Sequence, residues 1–346
     1  MIELANLARK VAGAGAIRLD STDLRAALHS HWESLKKEAE PQTRVATMNL
    51  LLGVSHPEDC LGLAELLDPL SHSHPGRMVV FVFDSETHEA SIEGWFNSTC
   101  MQQHPERICS ERIVIYCPGS PARVPSLVLP LTVPGLPVFH WWRGEPPFGS
   151  DLLERLVEAS DRVIFDSNRF SLASGMSRMS RLINDPYHTE QAFSDLSWGR
   201  AQLAREKVAA LFDGQAGLAA LDTIAEVTIA GPGERPGPSG LLLAGWLASR
   251  LGWKVVNPLR AEGRTWMGDL IHQGRGIRLR LAGGRDSGWQ VAFGPGLVTE
   301  APPLKGAELM GREFDIQGRD RVFEEALESA LVITGEKEAR TNGSSR

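Results

Sequence analysis

Cysteine is scarce in this chain of 346 residues: there are four, at positions 60, 100, 109 and 117, and none after residue 117. No CxxC and no paired metal-ligand spacing occurs, so the pattern offers neither a structural zinc nor a redox couple. Cys109 and Cys117 fall on one expected strand at an even offset. At ~3.3 Å per residue they stand over ~20 Å apart, too far to bond to each other. The expectation is therefore free, mostly buried thiols in a reducing compartment. Long apolar runs are missing too. The longest, around Leu241 to Ala248, is far below the ~18 residues of a membrane span. The amino terminus MIELANLARKVAGAGAIRLD has no basic segment followed by an unbroken apolar core, so no signal peptide is read. A formal charge of −7 lacks the basic footprint that general nucleic-acid or anionic-membrane binding requires. The expectation is a cytoplasmic protein with no nucleic-acid and no membrane partner.

Chemistry-bearing motifs are equally thin. The stretch GPGERPGPSG at 231–240 sits between an expected strand and an expected helix, where a phosphate loop belongs. It has no Lys-Ser/Thr, its glycines are not spaced GxGxxG, and three prolines remove backbone donors that a phosphate cradle uses. It reads as a surface loop, with Ser239 as the helix N-cap, and an anion or sugar-phosphate site is the alternative. His72 and His74 form an HxH pair with no close third ligand, and His74-Pro75-Gly76 reads as a turn. Asp166, at a strand's carboxyl end, reads as a cap for the segment after it rather than a general base. SGMS at 174–177 is not a GxSxG elbow. No catalytic, metal or cofactor-binding residue is assigned, and no cofactor is expected.

What is present describes a soluble globular protein, 42% hydrophobic and 23% charged, long enough for two domains. Residues 1–40 read as a helical segment, with Leu24, Leu28, Trp32 and Leu35 on one helical face. Strands are expected at 45–54, 78–84, 89–96, 107–116, 136–142 and 161–166, with helices at 57–70, 121–131 and 150–159. That series predicts an α/β domain over 41–215 with a mostly parallel sheet flanked by helices. A smaller α+β domain is expected over 216–335. Its helix covers 241–251, its short strands lie at 223–230, 253–258, 265–272, 276–282, 289–293 and 308–316, and a closing helix spans 319–332. A charged tail, 336–346, is expected to be disordered.

The densest signal is LVLPLTVPGLPVFHWWRGEPPF at 127–148. Both alternating sets of the strand Leu136 to Trp142 are apolar, so both faces should be covered. Trp141 reads as core. Trp142, Arg143 and Glu145 would leave the carboxyl end of the strand, where open α/β sheets place their working sites. An aromatic and Arg-bearing loop without a nucleophile, base or metal cluster suits contact with another protein. Trp198 and Arg200, around a second expected helix start, complete the contact candidates. Trp246 and Trp253, seven residues apart, read as core.

LPLTVPGLPVFHWWRG, followed by a helix and DRVIFDS at 161–167, resembles the glucose-6-phosphate dehydrogenase assembly protein family, OpcA. RVATMNL at 44–50, HPGR at 74–77, ICSERI at 108–113, DLSWGR at 195–200 and LLLAGWLASRLGW at 241–253 resemble further segments of that family, in order, over roughly residues 40 to 330. The resemblance implies a non-catalytic activator that binds glucose-6-phosphate dehydrogenase in the oxidative pentose phosphate pathway. Redox control is associated with the family's photosynthetic members, and the carboxyl half of this chain has no cysteine to carry it. The alternative from another class is a sugar-phosphate binder or enzyme using the strand-end face and the 231–240 loop.

Overall fold

The computed structural model describes residues 4–20, 23–35, 42–44, 46–84, 86–87, 91–103, 106–119, 121–221, 223–284, 288–294 and 296–337. The expected disorder of the tail falls, from residue 338 on, outside the described residues.

Nine strands form the larger sheet: β1 (Ile17–Leu19), β2 (Gln42–Arg44), β3 (Asn49–Val54), β4 (Arg77–Asp84), β5 (Glu93–Gln103), β6 (Glu106–Pro118), β7 (Val138–Arg143), β8 (Arg162–Phe165) and β9 (Ala192–Asp195). They lie in the order β1-β5-β6-β4-β3-β7-β8-β9, with β2 beside β6. The pairs β6–β4, β4–β3, β3–β7 and β7–β8 are parallel. β5 joins β6 antiparallel, and β1 joins β5 antiparallel. The parallel strands are apolar on both faces because helices flank the sheet, and every residue of β3 and β8 is buried. Counting only β3, β4, β6, β7, β8 and β9 gives the doubly wound order 3-2-1-4-5-6, with β5 inserted as a hairpin partner of β6. The expected α/β fold with a mostly parallel sheet is present, and it is Rossmann-like.

The smaller sheet has six strands: β10 (Glu226–Gly231), β11 (Lys254–Glu262), β12 (Thr265–His272), β13 (Arg275–Gly283), β14 (Trp289–Phe293) and β15 (Leu297–Ala301). Its order is β11-β12-β13-β10-β14-β15, and only β10–β13 is parallel. Helices Gln202–Leu211, Pro238–Leu251 and Arg321–Thr334 pack on this sheet. The edge strand β11 shifts register between Val255 and Asn257 and again between Asn257 and Arg260. Two compact units result: Met1–Arg169 with Pro186–Phe193 and Gly306–Arg319, and Phe170–Asp185 with Ser194–Lys305 and Asp320–Arg346. The chain thus changes unit several times, where the sequence suggested one crossing near 215.

Three local expectations differ from the structure. The amino-terminal segment is not helical throughout, since Ile17–Leu19 forms an edge strand opposite Gly94–Phe96. Residues 308–316 lie in a helix, Gly306–Asp315, not a strand. Leu309, Met310, Glu313 and Phe314 are buried at helical spacing, and Glu308 pairs with Arg312 one turn on at 3.3 Å. Cys100 and Cys109 are joined as a disulfide, where free thiols were expected. The β5–β6 register pairs Gln103 with Glu106 and therefore sets Cys100 opposite Cys109, with Cα atoms 4.0 Å apart. Cys60 and Cys117 are free and buried.

Candidate functional site

In the 3-2-1-4-5-6 arrangement the crevice for ligands opens where the strand order reverses, at the carboxyl ends of the first and fourth strands. Here those ends are Val54 on β3 and Arg143 on β7, which face each other in register. The turn after β3 reads Ser55-His56-Pro57-Glu58-Asp59, leading into a helix of four residues, Pro57–Cys60. Proline at its start gives up a backbone donor, and Glu58 and Asp59 place carboxylates in its first turn.

Asp59, in the turn that follows the β3 end, is 3% exposed. Its Oδ1 accepts from Arg169 Nη1 at 2.5 Å, and Arg169 Nε lies 3.8 Å from Asp166 Oδ2. Burial raises the Asp59 carboxyl above its ordinary range, against the opposing pull of Arg169. Arg143 ends β7 at 8% exposure, donates from Nη2 to the Leu61 carbonyl at 2.9 Å, and sits 5.8 Å from the Trp141 ring centroid. Burial, then the like charge of Arg169, lowers its pKa. Gly144 follows at φ +113°, and a Cβ there would collide with Asp59 Oδ2. The glycine of the WWRG motif is thus the residue that lets the carboxylate sit against the strand end.

Trp142 is fully buried, which corrects its reading as a contact residue. Its ring meets Phe81 edge-on at 5.7 Å and His140 at 6.0 Å. Gly53 stands between Trp142 and Phe81 in register, and a Cβ on Gly53 would lie 2.7 Å from Trp142 Cε3. Arg143 is likewise buried, not exposed beyond the strand. Trp141, at 3% exposure, is core as expected. Glu145 is partly exposed.

The second group of candidates lies in the other unit. Asp195 caps the helix Leu196–Arg200 through Ser197 N at 2.9 Å. Trp198 is 6% exposed, donates from Nε1 to Asp320 Oδ2 at 2.9 Å, and has the Arg205 guanidinium 3.3 Å above its ring. It is therefore a packing residue and not an exposed anchor. Arg200 is partly exposed, and its carbonyl accepts from Trp289 Nε1 at 3.1 Å. Trp253 is buried and Trp246 partly so.

The 231–240 loop leaves β10 and is pressed onto the end of β13, where a Cβ on Gly283 would meet the Glu234 backbone. Gly237, not Ser239, is the cap of the helix Pro238–Leu251, and Ser239 is buried inside its first turn. A cavity of about 480 Å³ opens at the β10 end, lined among others by Ala230, Gly284, Trp289, Gln290 and Glu300. Among the described residues its charged lining side chain is Glu300. Asp166 precedes the turn Ser167–Arg169, with its Oδ2 3.8 Å from Arg169 Nε, the helix Leu172–Ile183 starts after Ser171, and His74 ends the helix Leu63–Ser73 with Nε2 3.4 Å from Asp315 Oδ1. Among the described residues, no three His, Cys, Asp or Glu side chains converge as a metal site requires.

Sequence reasoning passed over Asp59 and Arg169. The signal for Asp59 was the Pro-Glu-Asp turn directly after the first strand, where a dinucleotide fold would carry glycines. Arg169 gave no local signal.

Residues 68–181 match a model described as the glucose-6-phosphate dehydrogenase subunit N-terminal domain, and residues 191–327 match the corresponding C-terminal domain. A putative OxPP cycle protein OpcA of Synechocystis is 23% identical over 94% of this chain and 76% of its own length. Its Nostoc punctiforme counterpart is 29% identical over 58% of this chain, and the alignment spans 43% of that relative. Among solved structures, the WlbA dehydrogenase of Thermus thermophilus aligns with a TM-score of 0.46 at 12% identity, over 85% of this chain and 97% of that one. The two domain matches, in order along the chain, and the OpcA relatives agree: the chain belongs to the OpcA glucose-6-phosphate dehydrogenase assembly protein family.

Proposed function

We propose that this chain is a non-catalytic partner that binds glucose-6-phosphate dehydrogenase and favours its active oligomer. Family membership supports the partner. The observation that carries the non-catalytic part is the occupied crevice at the β3–β7 strand ends. There the Asp59 carboxylate, held by Arg169 and seated on Gly144, stands where a doubly wound dehydrogenase receives a pyrophosphate. An anion placed there meets two first-turn carboxylates and a proline instead of free backbone donors. The action is linkage: a partner that binds the competent state better shifts the equilibrium by its differential affinity, typically ~1–3 kcal/mol. On this reading the protein works in the cytoplasm, and Glu145 and Arg200 remain contact candidates.

The test is a titration of the same organism's dehydrogenase with this protein at several enzyme dilutions. The protein alone should give no turnover, and the dehydrogenase rate should rise saturably, most at high dilution. Turnover that belongs to this chain and vanishes on a point substitution in it contradicts the reading. The cavity at the β10 end favours one rival, a sugar-phosphate binder. A saturable thermal shift with glucose 6-phosphate or 6-phosphogluconate would support that rival.

A further inference from the structure

The charge of this chain is unevenly distributed. Residues 254–280 hold six cations, Lys254, Arg260, Arg264, Arg275, Arg278 and Arg280, against two carboxylates, Glu262 and Asp269. The remaining residues hold 30 cations and 41 carboxylates. This basic stretch is β11–β13 of the smaller sheet, so the fold gathers it onto three neighbouring strands.

Strand alternation then sorts it by face. β13 buries Ile277, Leu279 and Leu281 and exposes Arg278 and Arg280 between them. The register places Met267 and Asp269 of β12 beside these arginines, and Arg260 of β11 beside Met267. On the other side stand Glu226 and Thr228 of β10, then Ala292 of β14 and Val298 of β15. The opposite face, with Val227, Ile229 and Val291, is buried beneath helices. On the outer face, among the described residues, Lys254, Arg260, Arg278 and Arg280 are exposed, and so is Val298 at 49%.

We propose that this open face, and its basic β11–β13 half above all, is a docking surface for an acidic face of a protein partner. The identity of the partner rests on the reading above, which makes it the dehydrogenase. Six strands at ~4.8 Å spacing and a mean length near ~20 Å give a plan of roughly 500 Å². Covering it removes about 1,000 Å² in total, the lower bound of a specific interface. Arginines around a centre of Met267, Thr228 and Ala292 match the make-up of protein contacts. Asp269 and Glu226 flank Arg278 in the same row, an arrangement that repels a phosphate backbone but suits a patterned protein surface. The excess charge predicts steering of an acidic partner that weakens with salt.

The experiment compares the full chain with the triple variant Arg260→Glu/Arg278→Glu/Arg280→Glu and with its Gln counterpart. Binding to the same organism's dehydrogenase is followed by titration from about 50 to 300 mM salt, with melting curves to check folding. The expected result is a wild-type complex that weakens with salt. The Gln variant should bind at least ~5-fold and the Glu variant at least ~30-fold more weakly at low salt, with unchanged melts. Wild-type binding with an equal Kd in all three proteins overturns the docking surface and leaves the proposed function standing. Absence of wild-type binding removes both. Sedimentation of wild type as a dimer and of the Glu variant as a monomer gives the face to a second copy. Retention of duplex DNA by the wild type alone gives it to nucleic acid. Either result overturns the proposal.

Discussion

The strand ends of the first sheet and the outer face of the second treat their polar groups in opposite ways. At the β3–β7 ends, the ion pair Asp59–Arg169 is built inward, and the aromatic residues beside it are buried. On β10–β15 the arginines stand outward and exposed, Arg278 between Asp269 and Glu226 with its Nε 3.6 Å from Asp269 Oδ1, and Arg280 between Met267 and Thr228. The first region has the position of a ligand site and the packing of a core. The second has an ordinary position for a sheet and an exposed, charged surface, on which the proposed contact rests. Place in the fold therefore does not assign function here; burial and pairing do.

The strongest way to break this comparison is to remove the ring that fills the first region. Trp142→Ala should cost about 3–5 kcal/mol, because the ring is fully buried and Gly53 leaves no side chain to close the gap. Denaturant unfolding measures it, and a loss below ~1 kcal/mol would mean that the WWRG strand end is loosely packed. Next in size is Gly144→Ala. It combines positive φ with a collision at Asp59 and should cost about 2–4 kcal/mol. In an Asp59→Ala background that cost should fall by about 1–2 kcal/mol, since the collision disappears. Additive costs would separate the glycine from the carboxylate.

The smallest effect is one of pH. Burial holds the His140 imidazole neutral, with its pKa depressed from 6.5 to about 3. The unfolded chain takes up a proton as pH falls through ~6.5 and the folded chain does not, so stability is lost on acidification, by about 2 kcal/mol at pH 5. His140→Leu should flatten the stability profile between pH 7 and pH 5. Parallel profiles for both proteins would show that the folded protein titrates this histidine with the rest.

Most of the first sheet was legible because two-sided apolar strands and intervening helices follow from local pattern. Met78 to Asp84 and Leu136 to Trp142 lie within one or two residues of the observed strands. The site was legible in place but not in exposure. Trp142 and Arg143 were located at the strand end, yet whether that end is open depends on Asp59 and Arg169, 110 residues apart in sequence. The Cys100–Cys109 bond likewise follows from the register of two strands, which spacing along one strand does not contain. The helix Gly306–Asp315 was read as a strand because Leu309, Met310 and Phe314 form a short apolar set that fits either period.

The interrupted edge of the smaller sheet has a consequence of its own. β11 carries two register shifts and Pro258, and β15 is five residues long and is followed by Pro302 and Pro303. Neither border presents an unbroken ladder for another strand to extend. On the proposed function, the protein has to accumulate alongside its partner while keeping its own copies from growing into sheets. With both borders blunted, the proposed partner would meet the face of the sheet and not its edge, so that side-chain complementarity, and not backbone pairing, would decide the fit.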